Sequence, residues 1–178
     1  TSSPEVERLM RNLQDRVNSI ATVHHNLYQT SGQADVAMSE LLETIVRQVI
    51  RVGARKDGVR IETDIQAMQL NPDQAVPLSL FLTEALTNAM KYMSASDDAY
   101  VAVTLKEVEP RVAKLVVENT ISDGEATLSS QLSSTGLGSE LMEAFGAQLD
   151  GRVEIDRRPE SFVVSVQFPI EGLAAKDI

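Results

Sequence analysis

Val6, Met10, Leu13, Val17, Ile20, His24 and Leu27 recur at alternating steps of four and three. This is a heptad seam, the pattern of a helix that lies along a partner helix at a shallow angle. A single helix cannot bury its own seam. A chain with this N terminus therefore needs a partner helix, from elsewhere in a parent protein, from a second copy of itself, or from both. Ser2, Ser3, Pro4 and Glu5 provide a hydroxyl cap, a proline and a first-turn acid, which suit a helix start. Thr30, Ser31, Gly32 and Gln33 suit its end and a linker. The seam predicts a homodimer through a helix over residues 4–28.

The rest of the chain changes period. Residues 35–52 read as a second helix, with Val36, Leu41, Leu42, Ile45, Val49 and Val52 at its apolar positions. Residues 59–65 alternate strictly and read as a strand. Asn71, Pro72 and Asp73 form a turn before a helix that contains Asn88. Residues 100–106 and 113–118 read as an antiparallel strand pair joined around Glu109 and Pro110. Residues 121–135 are polar, lack a period and read as a mobile loop. Residues 137–149 read as a helix ended by Gly151, and residues 152–156 and 162–168 close the chain as a hairpin. Residues 172–178 read as a frayed tail. Strand pairs joined by short turns favour an α+β fold, a two-layer sandwich with helices gathered on one face of the sheet.

Composition narrows the function. Hydrophobic residues make up 43% of the 178, enough for a packed core. Cysteine is absent, which rules out disulfides and thiol chemistry and suits a cytoplasmic setting. The two histidines are adjacent, so a histidine-rich metal site is not expected. The net charge of −10 disfavours a nucleic-acid partner, and no apolar run reaches the length of a membrane span. The chain starts at Thr1 without a Met and reads as an excised fragment, whose parent could be anchored elsewhere.

The polar residues with the most chemistry are Glu84, Asn88 and Lys91. Steps of four and three stack them on one helix face, beside an offset, mostly apolar face of Phe81, Ala85, Ala89 and Tyr92. An amide oxygen can ligate a metal ion, an acid can orient a water, and an ammonium can meet phosphate. Charged residues at helical spacing are common on solvated faces, so spacing alone favours the plain amphipathic helix. The order Glu84-x-x-x-Asn88-x-x-Lys91-Tyr92 is more specific. It resembles the N box of the GHKL ATPases, the superfamily of gyrase B, MutL and the sensor histidine kinases. The stretch from Asp73 through Pro77 to Glu84 resembles the approach to that box in histidine kinases of the HWE type and close relatives. Residues 136–151, from Gly136-Leu137-Gly138-Ser139 onward, resemble the glycine box and following helix of a histidine kinase ATP-binding domain. The segment around Asp15-Arg16, His24-His25 and Tyr28 is similar to the second dimerisation helix of the HWE-type kinases.

The resemblance runs from about Glu5 to Phe168 and implies a Bergerat-type α/β sandwich over residues 31–178. Before it, residues 1–30 would form half of a dimerisation and phosphotransfer hairpin. It implies ATP and Mg²⁺ as ligands, a response regulator as partner, and transfer of the γ-phosphoryl group to a His and then to an Asp. Asn88 would hold Mg²⁺, and Glu84 would orient a metal-bound water or the reacting His. Lys91 and the backbone of Thr135, Gly136, Leu137 and Gly138 would hold phosphates, with residues 121–135 as the ATP lid. The family places Asp-x-Gly-x-Gly at the end of the strand that here reads Leu115 to Glu118, and its Asp reads the adenine amino group. This sequence has Glu118-Asn119-Thr120-Ile121-Ser122 instead. Three outcomes stay open: Glu118 accepts the adenine hydrogen bond, Asp123-Gly124 supplies a shifted version, or adenine binding is lost. The loss would make the chain a kinase-like dimeric phosphotransfer or docking scaffold that does not bind ATP. The family's phosphoacceptor motif, of the form His-Arg-x-Lys-Asn, does not occur. His24 falls on the apolar seam, and His25, off the seam, is a minor phosphoacceptor candidate. An anti-sigma-factor Ser kinase shares the ATP fold but needs no long dimerisation helix.

Overall fold

The computed structural model describes residues 35–53, 58–93, 97–121 and 137–171, together with eleven positions between Pro4 and His25. Those eleven are helical and exposed, as the N-terminal pattern predicts. Of the seam residues, Val6, Met10 and Val17 are described, with 53%, 62% and 62% of their surface open. Leu13, Ile20, His24 and Leu27 lie outside the described residues, as do residues 26–34, the 122–136 segment and the 172–178 tail.

Strand β1 (Val36–Ala37) runs directly into helix α1 (Met38–Gly53), so the second predicted helix starts later than its pattern suggests. Met38, Leu42, Ile45, Val46 and Ile50 are buried along one stripe of α1. Glu40 in its first turn and Arg51 in its last suit the helix dipole. Strands β2 (Arg60–Ile65) and β3 (Gln69–Leu70) follow, and β3 pairs with β1 as a two-stranded ribbon.

Helix α2 (Pro72–Tyr92) forms the spine of the helix layer. Its start is defined by side-chain chemistry: Asn71 Oδ1 accepts from the Gln74 amide at 2.9 Å, and Pro72 occupies the first turn. Asn71 and Pro72 thus cap and begin the helix rather than form a separate turn. Gln74, almost fully buried, fastens this end to the last strand: its Nε2 donates to the Pro169 carbonyl at 2.7 Å and its Oε1 accepts from the Glu171 amide at 3.0 Å. Pro77 sits inside the helix and cannot donate to the carbonyl one turn back. Burial outweighs that loss, since thirteen residues of α2, from Gln74 to Ala89, are buried. Gly53, at the end of α1, comes close to α2: a Cβ there would lie 3.1 Å from Met90 Cβ.

Strands β4 (Tyr100–Glu109) and β5 (Val112–Thr120) form the expected hairpin, turning at Pro110 and Arg111. Arg111 has φ 61°, and its amide donates to Glu107 Oε1 at 2.7 Å. Helix α3 (Leu137–Gln148) and the hairpin β6 (Arg152–Arg157) and β7 (Ser161–Pro169) complete the described chain. The main sheet has the order β2-β4-β5-β7-β6. All its neighbours are antiparallel except β2 and β4, which are parallel and joined by the α2 crossover.

Pleating separates two faces of this sheet. On one, Val101, Val103 and Leu105 of β4 meet Leu115 and Val117 of β5, and Val164, Val166 and Phe168 of β7, all buried in the same core as α1, α2 and α3. The other face carries ion pairs, among them Arg60 with Glu62 (2.8 Å), Lys106 with Asp64, and Lys114 with Glu154 (3.5 Å). The described domain is thus a two-layer α+β sandwich, with helices on one face and a charged, uncovered opposite face.

Candidate functional site

Three chain segments meet at one end of the sandwich. The first is the C-terminal half of α2. Glu84 is 5% exposed, Asn88 is half-buried one turn later, and Lys91 is exposed after that. The polar stripe therefore runs from core to solvent, so one helix presents a desolvated acid, a carboxamide at the rim and a solvated cation. Phe81, Ala85 and Ala89 anchor the neighbouring stripe in the core. Tyr92 is half-buried, and the Lys91 ammonium lies 5.1 Å from its ring centroid.

The second segment is the end of β5. The Tyr100 amide, at the start of β4, donates to Thr120 Oγ1 at 3.2 Å, and Val101 pairs with Asn119. Because β4 follows α2 in the chain, this end of the sheet is the one that α2 approaches with Asn88 and Lys91. The third segment is the start of α3. The far end of α3 is fixed by Gly151, where a Cβ would lie 2.8 Å from the Gln167 carbonyl oxygen. Gln167 pairs with Lys114 near the beginning of β5, so the first turn of α3 is directed toward the end of β5. Gly138 is half-buried in that turn. Free N–H groups at a helix start favour an anion, although Glu140 in the same turn opposes one.

Glu118 does not join this group. Ala113, Leu115, Val117 and Asn119 are buried beneath the helices, whereas Lys114, Val116, Glu118 and Thr120 alternate onto the other face. There the Glu118 carboxylate accepts from the Tyr100 hydroxyl at 3.1 Å and lies 3.6 Å from the Arg158 guanidinium. The structure does not bring Glu118 together with the α2 residues, and the reason is the pleat: a one-residue step changes face. The residue on the helix side is Asn119, 3% exposed, which the reading by acid chemistry overlooked. Alternation along β5 was the available signal.

Thr135, Gly136 and Asp123-Gly124 lie outside the described residues; Leu137 begins α3. His25 is exposed on the N-terminal helix. Among the described residues, no helix is long and apolar enough to cross a membrane, and no three His, Cys, Asp or Glu side chains are grouped to hold a metal ion.

The Glu118 cluster has a titratable reporter. Burial and the hydrogen bond to Glu118 raise the Tyr100 pKa above its ordinary value of 10.0. The folded state favours the protonated phenol, so its contribution is present below that value and is lost as pH rises through the shifted one. Ultraviolet titration of the three tyrosines should show one ionising late, and Glu118→Gln should bring that transition down. A transition that Glu118→Gln leaves in place would remove the Glu118 contact from the account.

A family model described as "Histidine kinase" matches residues 1–52. No curated protein sequence matches the chain. The structure is similar to the histidine kinase domain of the Erythrobacter litoralis EL346 blue-light activated histidine kinase, with a TM-score of 0.73 at 15% identity, covering 92% of this chain and 83% of that one. Against the blue-light activated histidine kinase itself the TM-score is again 0.73 at 15% identity, with 96% of this chain and 52% of that chain covered. A mycobacterial sensor histidine kinase, MprB, gives a TM-score of 0.60 at 20% identity, covering 79% of this chain and 99% of that one. The resemblance to histidine kinases of the HWE type and close relatives is borne out: residues 1–52 match a histidine kinase model, and the fold is that of histidine kinase domains.

Proposed function

We propose that this chain is the ATP-binding catalytic region of a two-component sensor histidine kinase, together with one helix of its dimerisation hairpin. The observation that carries the reading is the Glu84–Asn88–Lys91 stripe, which runs from core to solvent on a helix packed against α3 and β5. The reaction is transfer of the ATP γ-phosphoryl group to a histidine, and from there to an aspartate of a response regulator. The exposed apolar seam of Val6, Met10 and Val17 supports a dimer through the N-terminal helix.

The donor set suits Mg²⁺, a hard cation that takes oxygen ligands and keeps several of its waters. Asn88 offers an amide oxygen at the rim, and Glu84 offers a carboxylate one turn deeper. Mg²⁺ would neutralise phosphate charge and draw an acidic protein and a triphosphate together. Asn88 would ligate it, while Glu84 would orient a water or the incoming imidazole. Lys91, exposed at the end of the stripe, would reach phosphate oxygens, and the first-turn amides of α3 would receive another. None of these groups needs covalent chemistry, and catalysis rests on positioning and charge stabilisation.

The alternative, a kinase-like scaffold without ATP, drew its support from the altered segment after Glu118. A buried polar side chain on the helix side at Asn119 weakens that support. Ligand linkage separates the two readings. Mg²⁺–ATP at about 100 times its dissociation constant should stabilise the fold by about 2.7 kcal/mol, read as a rise in unfolding midpoint that vanishes with a chelator. An unchanged midpoint up to millimolar nucleotide would favour the scaffold.

A further inference from the structure

Strand β2 ends the main sheet, and among the described residues no strand lies beyond it. Its inner neighbour is β4: the Arg60 amide donates to the Ala99 carbonyl at 3.0 Å, and the Gln66 amide to the Leu105 carbonyl at 2.9 Å. Successive residues of a strand turn their N–H and C=O to opposite sides, so Arg60, Glu62 and Asp64 use theirs on β4. Ile61, Thr63 and Ile65 therefore present their backbone groups at the open edge. The side chains of these three lie on the helix side of the sheet, since their register partners Val101, Val103 and Leu105 are in the core. Helix α1 leaves them partly uncovered: Ile61 is 41% exposed, and Thr63 is exposed. A groove of about 430 Å³ runs between α1 and β2. Val46, Ile50 and Ile61 give it an apolar floor, and Arg47 and Arg51 stand exposed one turn apart on its α1 wall.

We propose that this groove docks an extended acidic segment of a partner protein, which adds a strand to the open edge of β2 and sets alternate side chains between β2 and α1. Main-chain hydrogen bonds to Ile61, Thr63 and Ile65 hold the segment, and the groove selects its side chains. Charge identifies the occupant. The chain carries a net charge of −10, yet the groove lining sets two arginines against one glutamate. Arg47 lies 3.7 Å from that Glu43, an exposed pair that an incoming carboxylate displaces at little cost. Side chains one helical turn apart are separated by about 5–6 Å, close to the ~6.6 Å between alternate side chains of a strand. Two carboxylates two residues apart thus match Arg47 and Arg51, and an apolar side chain on the same face matches the floor. On the other face of β2, Glu62 and Asp64 disfavour acids at the intervening positions. The inference does not depend on the nucleotide reading, because no groove residue belongs to α2, β5 or α3.

The test is fluorescence anisotropy with a labelled peptide Thr-Val-Thr-Glu-Thr-Glu-Thr and a counterpart carrying Lys for both Glu. Each is titrated with the parent chain, with Thr63→Pro and with the double variant Arg47→Glu, Arg51→Glu, all first checked for cooperative unfolding. The parent should bind the acidic peptide saturably, more weakly as salt rises, and about tenfold or more tighter than the basic one. Thr63→Pro removes an N–H that β4 does not use, a substitution an edge strand tolerates, and should weaken the acidic peptide about tenfold or more. The double charge reversal should turn the preference toward the basic peptide. Absence of binding to the folded parent overturns the proposal, as does binding that Thr63→Pro or the charge reversal leaves in place. Sedimentation showing that parent chains pair with one another through this edge, and that Thr63→Pro separates them, would assign the edge to a second copy and overturn the acidic partner.

Discussion

Phe81→Ala should cost about 3–5 kcal/mol of unfolding free energy, the range for removing a buried aromatic side chain and leaving a cavity. Phe81 is fully buried and sits on α2, which packs against α1, α3 and β5, so loss at this point loosens the whole helix layer. Domains of this kind are stable by about 5–15 kcal/mol, so the variant approaches or crosses the threshold for folding. Denaturant unfolding is the check, with Phe81→Leu as a milder companion expected to lose less because it refills much of the volume. A loss under about 1 kcal/mol would mean that α2 is not the spine of this core.

Asn88→Ala should separate binding from folding. Asn88 is only half-buried and lies past the densest part of the α2 core, so its truncation should leave the unfolding midpoint almost unchanged. Its effect on Mg²⁺–nucleotide affinity should be large. Disturbing even an outer partner of a metal ligand costs about 10–100-fold in metal affinity, and Asn88 is proposed as a ligand itself, so a loss of about 100-fold or more is expected, equivalent to about 3 kcal/mol. Asn88→Asp should retain part of the affinity, since it keeps an oxygen for the metal while adding a charge that opposes the phosphates. A variant that binds as tightly as the parent would remove the metal role from Asn88.

Much of this architecture is legible in the sequence because local patterns decide it. Strict alternation marks β2, helical spacing of apolar residues marks α1 and α3, and short turns mark the β4–β5 and β6–β7 hairpins. What escapes is non-local. Nothing in residues 59–65 announces that they lie parallel to β4, because that pairing depends on how α2 crosses the sheet. The two-residue strands β1 and β3 have no periodicity to detect. At the site, Glu84, Asn88 and Lys91 are fixed by helical spacing and fall where that spacing predicts. Glu118 does not, because the reading followed acid chemistry and not parity. Leu115 and Val117 already set the buried face of β5, and on that parity the next inward residue is Asn119.

The proposed Mg²⁺–nucleotide site is the end of the sandwich formed by α2, β5 and α3. Calorimetric titration of ATP into the folded chain, with Mg²⁺ and again with a chelator, tests it most directly. Saturable binding of one nucleotide per chain that requires Mg²⁺ and is lost in Asn88→Ala is the expected result. Absence of binding by the parent, or binding indifferent to both Mg²⁺ and Asn88, would contradict it.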